Sequence, residues 1–388
     1  MNWLRGCDQW WFGHGSPATF GVFRIALGTL AFINLAMMLP DFWAWFTEDG
    51  FVPWAAASQW LGPDWRINVY AGVTSAPVTL TLYLATMVAA LLTTLGLWSR
   101  LSTIALAVGY ISLHHRNPIV LHSGDTLIRN CLIILAVGPA GASCSMDRFI
   151  RLWKGKDDFE LPSVSLWPQR LIQYQLALMY FTTVWHKAHG THWREGTATW
   201  YPAQLNEFDR FGVPPFIEQQ PMVALLTYAT LLVEVALATL VFAKPLRKWI
   251  LLMGLGLHAF IDWRYNIPLF GWIVAAGYLC FYEVHEVEQW AKDVGARFSR
   301  WKARVLSPAG TAFSDGPVRA LMAADPLQLV EYDHGAGEAW VVEGAKGPVK
   351  RPLWSVWVRT LGAWPMGCVP GLFRRLLDRA VVRKGPGL

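Results

Sequence analysis

The first pattern along the chain is a short tryptophan-rich lead, residues 1–17, with the mixed apolar and polar character of an amphipathic helix. From residue 18 the pattern changes to long apolar runs in which polar positions are rare. Such runs cover 18–39, 77–98, 101–113, 119–138, 170–185, 222–243, 249–261 and 267–281. A membrane-crossing helix needs ~20 mostly apolar residues, so the longer runs read as transmembrane helices. The last two are shorter and read as tilted ends or a re-entrant pair. Ser99 and Arg100 mark a tight turn between the second and third runs. Pro118, in the segment His114–His115–Arg116–Asn117–Pro118, separates the third from the fourth, because proline disfavours helix in the residue before it. Residues 40–76 form a long loop with five tryptophans and the acids Asp41, Glu48, Asp49 and Asp64. The fold class predicted is an all-α polytopic membrane protein of about eight transmembrane helices, spanning 1–283.

After residue 283 the apolar runs stop. Residues 284–388 are more charged and richer in proline and glycine, and read as a small C-terminal cytoplasmic domain associated with the membrane surface. Within it Leu372, Phe373, Leu376, Leu377, Ala380 and Val381 recur at helical spacing among Arg374, Arg375, Arg379 and Arg383. That is a basic amphipathic helix, lying either on the inner leaflet or against the domain's own core.

Composition narrows the class. Apolar residues make up 54% of the chain and charged ones only 15%, with 23 tryptophans, and the mean hydropathy is +0.30. This excludes an ordinary soluble globular protein and fits interfacial tryptophan belts. The net charge of +6 needs no nucleic acid as partner. With the N-terminus inside, the basic segments (Arg100, 148–156, 244–248 and the tail) fall on the cytoplasmic side. The acidic loop 40–76, the turn at His114, the loop after Lys187 and 262–266 fall outside. The positive-inside rule therefore predicts a multi-pass cytoplasmic-membrane protein with both termini cytoplasmic. The five cysteines show no CxxC spacing, so no disulfide framework or zinc site is expected.

Polar residues inside apolar runs are the candidate chemistry, since ionisable groups at bilayer depth are costly. Gln173, Tyr180, Thr183 and Lys187 fall on one helical stripe. Lys187, at its end, is either an anchor reaching for the interface or a desolvated base. His122, Asp125 and Arg129 share a face, with Asp125 and Arg129 at the spacing of a structural ion pair. His258 and Asp262 are a second i, i+4 couple, in which the acid would orient the imidazole. Glu234, alone in its run, reads as a packing hydrogen bond. His186, His189 and His192 would need the helix to unwind near Gly190 to reach one metal. They otherwise read as interfacial polar groups, and no metal is expected.

Residues 112–148, with Arg-Asn-Pro, Gly-Asp and Asp-Arg, and 174–198, with the lysine followed by Trp-x-x-Gly, resemble the HTTM family, as does the region 258–281. These horizontally transferred transmembrane proteins are related to vitamin K-dependent gamma-carboxylase. The resemblance implies a membrane enzyme that uses a reduced quinone (menaquinol or a vitamin K hydroquinone-like molecule) and O2, with CO2 as a further co-substrate. The strong base or oxidant so generated would modify a peptide or small molecule at the outer face. It also implies Lys187 as the base and His122 as its assistant. Tyr180, Thr183, Trp185, Trp193 and His258 are then expected to form the quinone or substrate pocket, with Lys187 and His122 one small-molecule diameter apart. The lipid bilayer and a lipid-soluble quinone are the partners expected, with a peptide as a candidate substrate. A non-catalytic maturation partner or scaffold for a secreted peptide is the alternative function. Residues 313–332 resemble the DCC thiol-oxidoreductase domain but lack its cysteines.

Overall fold

A computed structural model of the chain describes residues 2–62, 65–158, 160–297, 303–307, 316–323, 325, 330–334, 341–344 and 347–350. The first elements are α1 (Asn2–Phe12), β1 (His14–Gly15), α2 (Ala18–Met38), α3 (Phe42–Phe46), α4 (Trp54–Leu61), α5 (Ala76–Leu95), α6 (Ser99–Arg116) and α7 (Ser123–Val137). Then come α8 (Met146–Trp153), β2 (Val164–Ser165), α9 (Trp167–His189), α10 (Thr191–Arg194), α11 (Trp200–Ala203), α12 (Gln220–Ala238), α13 (Lys244–Arg264) and α14 (Phe270–Tyr278). Last are α15 (Val284–Arg297), β3 (Ala303–Ser307), α16 (Gly316–Ala323), β4 (Val330–His334), β5 (Val341–Gly344) and β6 (Gly347–Lys350). The basic helix expected around Leu372–Val381 lies outside the described residues, as does much of 313–332.

Two compact units result, one of residues 1–141 and 163–282, the other of 142–162 and 283–388. The first is helical. By length and composition, three stretches among the described residues are apolar enough to cross a membrane: Ala18–Phe46, Ala76–Leu95 and Gln220–Ala238. The helices are apolar on their outward faces too. Leu232 is 72% exposed and Trp249 62%, as suits helices surrounded by lipid rather than water. Inside, Phe23, Leu27, Leu35, Tyr83, Leu106, Tyr110, Ile128, Leu176 and Ile273 belong to one core.

Local chemistry sets the helix ends. Gly96 adopts φ +67°, and Leu97 N–H reaches back to the Leu92 carbonyl at 3.0 Å. That is the left-handed helix stop for which glycine is suited, and it turns α5 directly into α6. A Cβ at Gly109 on α6 would collide with Thr86 on α5, so the glycine permits these two helices to approach closely.

Three sequence-level boundaries change. The third run extends to Arg116, because Arg116 is fully buried and its guanidinium donates to the carbonyls of Val52 (2.8 Å) and Thr47 (3.2 Å). The basic turn 244–248 is the first turn of α13, where a proline near the N-terminus is tolerated. The loop 40–76 contains two helices and is tied to the end of α6. Asn117 Nδ2 donates to the Trp45 carbonyl (2.8 Å), and Val69 N–H donates to Ser112 Oγ (3.1 Å).

The second unit contains a mixed sheet in the order β4-β3-β5-β6. β3 and β4 run parallel with α16 between them in sequence, and β5 and β6 add antiparallel. α8 belongs to this unit: Gly316, at the start of α16, lies so close to the Leu152 and Trp153 carbonyls that a Cβ would not fit. Arg148 on α8 donates to the Asp158 and Glu160 carbonyls at 3.0 and 3.1 Å. The segment 142–162, which reads from the sequence as a basic loop, is thus structured.

Candidate functional site

The stripe on α9 forms as spacing predicts, and each member finds a different partner. Gln173 Nε2 donates to the Cys280 carbonyl at 2.6 Å. Tyr180, 3% exposed, has its hydroxyl 2.7 Å from His258 Nε2 and 2.6 Å from the Tyr278 hydroxyl. Thr183 turns back on its own helix and donates to the Met179 carbonyl at 2.7 Å. Lys187 Nζ donates to Glu234 Oε1 at 2.5 Å and sits 4.6 Å from the Trp193 ring centroid. Its side chain is 21% exposed and that of Glu234 8%.

This gathers Lys187 and Tyr180 from α9, Glu234 from α12, His258 from α13 and Tyr278 from α14. Packing permits the convergence because residue 254 has no side chain; a Cβ there would collide with the Tyr278 hydroxyl. Two atoms of the cluster are buried with no hydrogen-bond partner, Glu234 Oε2 and His258 Nδ1. Buried polar atoms are nearly always paired, so these two are the unsatisfied positions of the cluster. Trp193 covers the lysine, whereas Trp185 is 58% exposed and packs beside His189.

His122 lies in a second cluster. It is the N-cap of α7: Gly124 N–H donates to His122 Nδ1 at 3.0 Å, and His122 N–H donates to Asp125 Oδ2 at 3.1 Å, closing a reciprocal capping box. Asp125, 1% exposed, also accepts from the Tyr110 hydroxyl (2.9 Å) and Asn34 Nδ2 (3.2 Å), with His114 Nε2 at 3.6 Å. The expected pairing of Asp125 with Arg129 gives way to these contacts. Arg129 Nη2 instead lies 3.1 Å from His115 Nε2.

No hydrogen bond or ion pair joins Lys187 to His122. α14 contributes to both surroundings: its Ile273 packs close to Gly124 of α7, while Phe270 and Tyr278 pack with His258 and Tyr180. Asp262 does not orient His258 either; its carboxylate pairs with Arg210 at 3.2 Å. Among the three histidines near the end of α9, His189 Nδ1 lies 2.7 Å from the Trp185 carbonyl and the His192 ring packs tilted against Tyr201. No group of three His, Cys, Asp or Glu among the described residues is placed to hold a metal.

A small, partly open cleft lies where α11, α12 and α13 meet the loops. Trp200, Val223, Leu226, Phe260 and Tyr265 give it an apolar lining. Arg264 closes one side, bonded to Asp209, Glu218 (3.1 Å) and the Ala203 carbonyl (3.0 Å). Burial pushes the Tyr265 phenol above its ordinary range.

Glu234 and Tyr278 are the members that the sequence reading missed. Glu234 did carry a signal, a lone acid in an apolar helix, but nothing in the sequence points from it to Lys187, 47 positions away. Tyr278 sits in an apolar run without any polar signal.

A profile of the HTTM domain matches residues 14–285, which contain both clusters and the cleft. The chain belongs to the HTTM family. It is accordingly a membrane protein, of a family related to gamma-carboxylase. Neither a curated protein nor a solved structure matches it.

Proposed function

We propose that this HTTM protein is a membrane enzyme that uses a reduced quinone and O2 to modify a peptide or small molecule, with Lys187 as its base. The observation that carries the reading is the Lys187–Glu234 pair at 2.5 Å, mostly enclosed and capped by Trp193. When bound, a reduced quinone supplies reducing equivalents and an acidic hydroxyl. The residues fit such a molecule: the unpartnered Glu234 Oε2 and His258 Nδ1 each suit a hydroxyl, and Phe270 and Trp193 add aromatic surface to their surroundings. Lys187 Nζ is the atom that takes a proton, in the state in which Glu234 Oε1 has accepted the proton that the two groups share. His122 serves this reading as the cap that fixes α7, not as a group on the reacting atoms.

The test is oxygen uptake and epoxide formation by the purified protein supplied with menaquinol. Menaquinol-dependent uptake that needs Lys187 supports the proposal. Uptake no faster than in protein-free micelles would remove it.

The proposed membrane arrangement is eight crossings with both termini cytoplasmic. Pairing of His14–Gly15 with Val164–Ser165 supports an even number of crossings through α2, α5, α6 and α7, since the chain has then returned to its starting end. In a cysteine-free background, Lys154→Cys should resist a membrane-impermeant thiol reagent added to intact cells. Labelling from outside would reverse the orientation.

A further inference from the structure

A neutral imidazole carries one N–H and one bare nitrogen, and the bond made by one nitrogen decides the state of the other. His258 is 5% exposed. Its Nε2 faces the Tyr180 hydroxyl at 2.7 Å, and that hydroxyl faces the Tyr278 hydroxyl at 2.6 Å. Two proton arrangements satisfy this string. In the first, Tyr278 donates to Tyr180, Tyr180 donates to Nε2, and the ring proton is on Nδ1. In the second, Nε2–H donates to Tyr180, Tyr180 donates to Tyr278, and Nδ1 is bare. Both contain the same three protons and two hydrogen bonds, and neither adds charge. A carboxylate beside the ring would favour one tautomer. The acid at the appropriate spacing, Asp262, is instead engaged by Arg210. Nδ1 itself is buried without a partner.

We infer that His258, with Tyr180 and Tyr278 behind it, is an adaptable anchor for a ligand oxygen that alternates between hydroxyl and carbonyl. This rests on the quinone reading above. A bare Nδ1 accepts from the hydroxyl of the reduced ligand; a protonated Nδ1 donates to the carbonyl of the oxidised one. No proton passes to or from the ligand. The ring changes tautomer by exchange with water while the site is empty, and the two hydroxyls rotate to follow. Glu234 contrasts with it: a carboxylate can only accept, so that side of the site prefers the hydroxyl form. The pair would let one site hold both the incoming and the spent ligand.

Tyr278→Phe tests this with the loss of one oxygen and no change of ring. Tyr180 then has no acceptor except His258 Nε2, which fixes the proton on Nδ1. Binding of menadione, and of menadiol under anaerobic reducing conditions, is read from tryptophan fluorescence of the full-length protein in micelles. The wild type is expected to bind both. The variant should keep its menadione affinity and lose menadiol affinity by about 5–10-fold, the size of one mispaired hydrogen bond. In nitrogen-15 spectra of histidine-labelled protein, with His258 assigned through His258→Gln, the ligand-free wild type should show both tautomers. Tyr278→Phe should show Nδ1–H alone. An equal change for both ligands, or one tautomer in the wild type, overturns the anchor and leaves the quinone reading standing. Failure of the wild type to bind either ligand removes the quinone reading, and the anchor with it.

Discussion

Lys187→Ala should cost ~10²–10⁴-fold in menaquinol-dependent oxygen uptake, the range typical for removing a positioned general base. The same pair should show a particular stability pattern. Lys187 and Glu234 are both mostly enclosed, and removing one partner leaves the other charge without compensation. Glu234→Leu alone should therefore destabilise the protein by about 3 kcal/mol, near the lower end for buried pairs because the lysine keeps some contact with solvent. Lys187→Met combined with Glu234→Leu should recover most of that loss, since an apolar pair of similar volume needs no compensation. Thermal unfolding of the two single variants and the double variant in the same detergent measures the coupling. Additive losses would mean that the contact is not an energetic unit. Recovered stability with absent activity is the signature of a pair kept for chemistry rather than for folding.

How far the sequence exposed this arrangement depends on the range over which each interaction acts. Helix existence was legible because lipid-facing helices are apolar on every side, and such runs are visible without knowing their neighbours. The end of α6 near Pro118 was legible for a local reason as well. Positions on one helix, such as Tyr180 and Lys187, could be aligned from periodicity alone. What could not be read is which helix each stripe meets. Asp125 and Arg129 have the spacing of an ion pair, yet Tyr110 from α6 and Asn34 from α2 outcompete that local choice. His258 and Asp262 separate for the same reason: Tyr180 takes the ring and Arg210 takes the acid. Glu234 was underrated because an acid's role depends on its partner, and that partner is on another helix. In each case short-range spacing named a possible contact and packing between helices chose a different one.

Asp125 is where this choice has its largest structural consequence. One carboxylate fastens three helices: Oδ1 accepts from Tyr110 on α6 and from Asn34 on α2, while Oδ2 accepts the His122 N–H that starts α7. Asp125→Ala should take the acceptor from Asn34 Nδ2 and from the His122 N–H, while the Tyr110 hydroxyl keeps Asn34 Oδ1 at 3.0 Å. Each donor so unpaired costs ~1–3 kcal/mol, so a total loss of about 3 kcal/mol is expected, enough to lower the yield of folded protein. Asp125→Asn should be milder, about 1–2 kcal/mol. Its oxygen still serves Tyr110 and Asn34, but its NH2 group faces the His122 N–H, and two donors cannot bond. His122→Asn should change stability by less than about 1 kcal/mol, because asparagine is as good an N-cap as any residue. If His122 acts only as that cap, its asparagine variant will also keep oxygen uptake near the wild-type rate. Equal losses for Asp125→Ala and Asp125→Asn would show that charge, not hydrogen bonding, holds α2, α6 and α7 together. Lost uptake in a stable His122→Asn protein would return His122 to the reacting atoms and require its cluster to open toward Lys187.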